Sequence, residues 1–267
     1  MRCVAMGLVA MLAAGCAAPA TQMFDLSPRG LETVPADGPA SVRTEATAVT
    51  FVATFAGMWA DLLVFDVEVT NHSDSTLVLD PAAFSYTLSS IRGRRANVPR
   101  RPVPALVPEQ AVAAIDRWLQ AEERSHAATV GYQTFFDLVD LAFYVCARDD
   151  LGAEEKYQRE QAFLARWEAR SLACDEFQEH VWQQGTRRYE AEARMLHRTR
   201  LRPGRSARGS LFLPGSHLRL ALGPDENRAS ITAPVSRDPA DFRLMLHAPG
   251  ALGAARIEYA LRRVWQE

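Results

Sequence analysis

The chain carries no strong excess of either charge: 30 basic against 32 acidic residues leave a formal net charge of -2. A nucleic-acid domain normally shows a marked basic excess, so nucleic acid is not expected as a partner. Lysine is almost missing; Lys156 is the only one, and arginine supplies the remaining positive charge. There is no Gly-x-Ser-x-Gly elbow and no glycine-rich phosphate loop, which removes two common signatures of hydrolases and nucleotide binders. Among His72, His126, His180, His197, His217 and His247, no pair sits at metal-ligand spacing beside a carboxylate in a recognisable motif. The nearest approach is Glu176, Glu179 and His180, where Glu176 stands in place of the second histidine that a zincin helix needs. A solvated helix face is the better reading, and no metal or cofactor is expected.

What is present is an ordinary globular composition, 48% hydrophobic and 23% charged. It predicts a packed core rather than wholesale disorder. The length suits one domain with a large insertion, or two small domains.

Residues 1–15 read as a processing signal. Arg2 marks a short basic start, and Val4 to Ala14 is apolar but well short of the roughly 20 residues that span a bilayer. The stretch ends in Leu12-Ala13-Ala14-Gly15-Cys16, which resembles the lipobox of bacterial lipoproteins. The departure is Ala13, which holds the position three before the cysteine where leucine is usual. The resemblance implies cleavage before Cys16, acylation of its thiol, and residence in the cell envelope. Ala17 and Ala18 follow without an aspartate, which by the same resemblance implies the outer membrane. Several acyl chains anchor firmly where one is marginal, at about 0.8 kcal/mol per buried methylene. Residues 16–45 then read as the lipidated cysteine and a flexible tether. Pro19, Pro28, Pro35 and Pro39 interrupt it, and its reach is on the order of 30 Å.

With Cys3 in the signal and Cys16 lipidated, Cys146 and Cys174 are the candidates for a disulfide in an oxidising compartment. Both fall in helical stretches. In a straight hairpin they are offset by about 19 residues, or roughly 28 Å, whereas a disulfide needs Cα atoms within about 7 Å. Either a helix folds back, or both cysteines are buried small hydrophobes. Cys146 lies on an apolar stripe, which does not suit a nucleophile.

From residue 46 to 98 the pattern has period two. Val49, Phe51, Ala53 and Phe55 share one face of a strand. Leu63, Phe65, Val67 and Val69 share one face of the next, opposite Asp66, Glu68 and Thr70. Asn71-His72-Ser73-Asp74-Ser75 is a turn cluster that also fits a glycosylation sequon, and the turn is preferred. Leu77 to Leu79 and then Phe84, Tyr86 and Leu88 follow. Residues 99–200 form an insertion. It opens with Pro99, Pro102, Pro104 and Pro108, then runs through a helical region from Glu109 to about Arg198. Val112, Ile115 and Leu119 mark one apolar stripe. Phe135, Leu138, Ala142 and Val145 mark a second, and Leu164, Trp167, Cys174 and Val181 a third. Gly131 is a candidate break, and Asp149 to Gly152 a connection, so two or three helices are expected. Residues 201–267 return to strands, around Ser210 to Leu213, Leu218 to Leu222, Phe242 to Leu246 and Ile257 to Leu261. Neither strand set makes a sandwich alone. The expectation is an α+β fold: one antiparallel β-sandwich with a long α-helical hairpin inserted.

Two segments carry a second resemblance. "VFDVEVTNHSDSTLVLDP" (Val64 to Pro81) and "LRPGRSARGSLFLP" (Leu201 to Pro214) resemble strand pairs of immunoglobulin-like domains in uncharacterised secreted bacterial lipoproteins. The resemblance implies an immunoglobulin-like sandwich and no activity.

Arg92, Arg94, Arg95, Arg100 and Arg101 form a basic run at the base of the insertion. They are the candidate anion-binding residues, for lipid phosphate or an acidic partner, against the alternative of a solvated loop. The leading functional expectation is a non-enzymatic binding or assembly module. It is membrane-bound through its N-terminal lipid, and its hairpin contacts an envelope protein. The alternatives are a hydrolase of envelope polymers using carboxylates and His180, or a carrier holding a small apolar ligand among Trp118, Phe135, Phe136, Phe143, Phe163 and Trp167.

Overall fold

The structure is a computed structural model that describes residues 23–29, 33–34, 41–46, 48–90, 101–148, 151–216, 242–249 and 256–264. Among these residues the chain forms strands β1 (Met23–Arg29), β2 (Thr33–Val34), β3 (Ser41–Ala46), β4 (Val49–Trp59), β5 (Leu62–Asn71), β6 (Leu77–Leu79), β7 (Ser85–Ser90) and β8 (Val103–Pro104). Helices α1 (Pro108–Ala147) and α2 (Ala153–Arg194) follow, then β9 (Thr199–Leu201), β10 (Ser206–Pro214), β11 (Phe242–His247) and β12 (Arg256–Val264). The fold is α+β. One five-stranded sheet has the order β1-β12-β11-β7-β8, a second β10-β5-β4-β3-β2, and β6 pairs with β9 in a small third sheet. All the ladder pairings within these sheets are antiparallel.

The two large sheets share one core. The alternating positions anticipated on β4 and β5 face it: Phe51, Ala53, Leu63, Phe65, Val67 and Val69 are all buried. Tyr86, Leu244, Leu246, Ile257 and Tyr259 meet them from the other sheet. Phe65 packs edge-on to Tyr259 with ring centres 5.2 Å apart, a favoured aromatic geometry. Each buried phenol also bonds across the core. Tyr259 donates to the Ala53 carbonyl at 3.2 Å, and Tyr86 to the Pro214 carbonyl at 2.6 Å. The β4–β5 connection is a two-residue turn in which Ala60 and Asp61 take φ of 50° and 61°. That is the twist a tight hairpin needs, adopted here without the usual glycine.

Asn71 closes the end of β5. Its side chain is fully buried. Nδ2 donates to the carbonyls of Ser75 and Leu201 at 2.8 and 2.9 Å, and Oδ1 accepts from the Ser73 amide and hydroxyl. The sequon asparagine is thus a turn-organising group with no free amide hydrogen left for modification.

Both ends of the insertion are clamped to the body. Leu106 bridges Phe212, and Leu196 pairs with Ser210 through its amide at 3.0 Å. Gly209 makes the second contact feasible, since a Cβ there would come within 2.7 Å of the Leu196 backbone. Ala111 and Ile115 of α1 and Met195 just after α2 then bury against Trp59, Leu62 and Phe212. Trp59 donates to Gln184 Oε1 at 2.9 Å and carries the Arg187 guanidinium over its ring.

Two sequence expectations change. The tether is not free of structure, because residues 23–29, 33–34 and 41–46 form strands and Leu26 is buried in the core. Proline excludes a central strand but is tolerated at an edge, and β1, which contains Pro28, is an edge strand paired only to β12. Gly131 does not break the first helix, which runs through it unbroken for 40 residues; a glycine weakens a helix by about 1 kcal/mol without ending it. The insertion is therefore a two-helix hairpin. The candidate strand from Leu218 to Leu222 lies outside the described residues.

Burial raises the pKa of both Tyr86 and Tyr259 well above the ordinary 10.0. A raised folded-state pKa keeps these phenols neutral in the fold, so their contribution is complete below pH 10. It is lost as the pH climbs above 10, where the unfolded chain releases protons first. Each phenol costs up to about 1.4 kcal/mol per pH unit in that window. Thermal melts between pH 9 and 11 should show a falling Tm, and Tyr86→Phe should make that fall shallower.

Candidate functional site

Beyond its clamped base, the hairpin leaves the body. Helices of 40 and 42 residues run about 60 Å at 1.5 Å per residue. The buried residues of α1 are Ala111 and Ile115, both in its first turns, and α2 has none. What holds the outer part together is polar. Along the face that α1 turns toward α2, Asp116 accepts from Arg188 at 2.9 Å, and the His126 ring stacks on Phe177 at 3.7 Å. Further out, Thr134 accepts from Arg170 at 3.3 Å, and Asp140 accepts from Arg166 at 2.6 Å. Asp137 binds both Arg166 and Arg170. Tyr144 donates to Glu160 at 2.7 Å, and that hydrogen bond raises the phenol's pKa. Positions 116, 126, 134, 137, 140 and 144 lie close to one helical face, which is spent on charge and hydroxyl contacts.

The consequence is an inverted hairpin. In its outer half a charged pair is largely enclosed: the Asp137 and Arg170 side chains are 15% and 12% exposed. The apolar side chains stand outside instead, with Tyr132 at 70%, Phe135 at 59% and Phe143 at 71% exposed. Phe136, Leu138 and Val145 share this exposure, as do Leu164, Trp167 and Leu172 on α2. The stripe Phe135, Leu138, Ala142 and Val145, legible in the sequence, faces away from α2 rather than toward it. Monomeric soluble proteins rarely leave contiguous apolar surface of this kind exposed.

The other sequence candidates are distributed as follows. Arg101 is exposed; Arg92, Arg94, Arg95 and Arg100 lie outside the described residues, as does Cys16. Cys146 and Cys174 are free thiols, the first exposed and the second half-buried. The helices do not fold back to bring the two candidate disulfide partners together, and Cys146 is exposed rather than a buried small hydrophobe. The contacts Tyr144–Glu160 and Thr134–Arg170 set the helix register. Cys146 and Cys174 then lie far apart along the hairpin. His180 approaches Glu122 on α1 at 3.4 Å, and its Nε2 makes no hydrogen bond. Among the described residues, no group of three His, Cys, Asp or Glu side chains is placed to hold a metal ion. None of the described helices is long and apolar enough to cross a membrane.

Cavities lie at two places among the described residues. One of about 240 Å³ lies between the outer ends of the helices, lined by Asp140, Leu141, Tyr144, Arg159, Phe163 and Leu164 among others. The other, about 450 Å³, lies over the outer face of β4, β5 and β10 beside Arg194. There Arg208 pairs with Glu68 at 2.7 Å and Ser210 donates to Asp66 at 2.6 Å, so both carboxylates have a hydrogen-bond partner. Neither cavity is lined by His180. Of the aromatic residues considered for an enclosed ligand, Phe135, Phe136, Phe143 and Trp167 are on the outside, Trp118 packs at the base, and Phe163 lines the smaller cavity.

No protein-family model, no curated protein and no solved structure matches the chain. The functional reading therefore stands on the geometry of the hairpin and on the N-terminal motif.

Proposed function

We propose that the chain is a lipid-anchored envelope lipoprotein serving as a non-enzymatic binding or assembly module. In this reading Cys16 carries the lipid, the outer membrane is the destination, and an immunoglobulin-like sandwich forms the body. The hairpin is the contact element. The observation that carries the reading is the apolar outer face of α1, with Tyr132, Phe135 and Phe143 more than half exposed while charged residues occupy the helix–helix seam. A helix that only covered the body would turn such residues inward, where burying each contributes about 1.5–3 kcal/mol. Two antiparallel five-stranded sheets over one core are compatible with the sandwich. The motif Leu12 to Cys16 supports the anchor.

A photo-crosslinking residue at position 143 should capture protein in intact envelopes, while the same residue at the exposed position 175 on α2 should not. Absence of adducts at position 143 would remove the contact role. Mass spectrometry of the mature protein should find an acylated N-terminal Cys16; an N-terminus beyond it would remove the anchor.

A second reading, carriage of a small apolar ligand, is favoured only by the cavity of about 240 Å³ near the hairpin tip. That volume falls below the roughly 300–1,000 Å³ of drug-sized ligand sites.

A further inference from the structure

The uncovered face of α1 has a definite phase. With Tyr132 at heptad position a, Phe135 falls at d, Val139 at a, Ala142 at d and Cys146 at a. This 3-4-3-4 spacing is the seam of a coiled coil. The flanking e and g positions are Phe136, Leu138, Phe143 and Val145, all exposed. The residues that meet α2, Thr134, Asp137, Asp140 and Tyr144, occupy positions c, f, b and f. In an ordinary coiled coil those positions face solvent. Helix α1 therefore has two contact faces, and α2 covers the polar one.

Resting on the reading of the hairpin as a contact element, we propose that this seam packs against the same seam of a second copy. The two hairpins lie parallel, tip beside tip, with α1 packed against α1 and each α2 on the outer side. Three observations select that occupant. The area is most of what a dimer needs: four aromatic side chains of about 150–250 Å² each, at 45–71% exposure, present roughly 400–600 Å², and Leu138 and Val145 add to it. A stable interface needs about 800 Å² per partner. The face is also neutral. No lysine or arginine stands between Arg124 and Arg148, and Asp137 and Asp140 are already paired with arginines. That gives a charged partner nothing to hold, and it lacks the Lys and Arg that flank helices lying on anionic membranes. Finally, an a/d seam with apolar e and g positions complements itself about a two-fold axis. In the parallel register Ala142 meets Ala142 and leaves room for the flanking Phe143 side chains.

The parallel register also brings Cys146 beside Cys146 of the second copy at an a position, and the thiol is free and exposed in the single chain. Copper-phenanthroline oxidation of envelopes holding the full-length Cys174→Ser chain should give a reducible band of twice the monomer mass. Cys146→Ser should abolish it, and Phe135→Glu with Phe143→Glu should reduce it at least fivefold. Circular dichroism should show unchanged helicity, because both residues are exposed in the single chain. Leu138→Gln with Val145→Gln provides a milder second variant that should also lower the yield. Light scattering of the purified chain should give the dimer mass. A monomer, or a dimer that does not crosslink through Cys146, overturns the proposal. A monomer that, expressed without residues 1–16 and so without acyl chains, sediments with phosphatidylethanolamine–phosphatidylglycerol vesicles overturns self-association but leaves the contact role standing. A monomer that neither binds such vesicles nor forms adducts through position 143 removes both.

Discussion

The ion pairs of Asp137 and Asp140 with Arg166 and Arg170 determine which way the outer hairpin faces. A helix has one circumference to divide between its neighbours. Once one face is committed to charged partners on α2, the apolar residues at 132, 135, 136, 138, 143 and 145 can only point away. Partly enclosed charges carry a desolvation cost that roughly offsets their attraction, so such a seam is weak evidence of stability in itself. Its value lies in orientation. Charged partners tolerate few alternative alignments, whereas an apolar seam would allow the helix to roll and hide Phe135 and Phe143 against α2.

The body supplies the rigid base that this arrangement needs. Trp59, Leu62 and Phe212 receive the first turns of α1 and the chain just after α2. The close approach of Leu196 at Gly209 and the bridge from Leu106 to Phe212 fix where the insertion leaves and returns. Across the core, the hydroxyls of Tyr86 and Tyr259 bond to carbonyls, so the large aromatic side chains bury no unmet donor. Burial thus falls away from the two-sheet core toward a hairpin whose outer half holds no fully buried residue.

Much of this was legible in the residues. Period-two alternation located β4 and β5 and named their core faces, because a half-buried strand writes its burial directly into sequence. Helix-forming composition located the insertion. The failures have physical causes. Prolines in residues 16–45 concealed strands, most directly at Pro28, which lies in the edge strand β1 where one side needs no amide pairing. Asn71-His72-Ser73 read as a turn, but nothing local reveals that Asn71 reaches Leu201, 130 residues away. Most consequentially, the apolar stripe of α1 was visible while its direction was not. Periodicity shows that residues share a face; only the partner helix's Arg166 and Arg170 decide that the opposite face is the one it covers.

A double-mutant cycle on Asp137 and Arg170 tests this inversion most directly, with stability read by thermal unfolding and by hydrogen exchange across residues 130–175. If the charged seam lies between the helices, Asp137→Ala and Arg170→Ala each destabilise the outer hairpin, and the double variant costs little more than either. The resulting coupling is on the order of 1–2 kcal/mol. Additive effects with no coupling would mean that the two side chains do not meet, and that the apolar stripe of α1 is free to be the inner face.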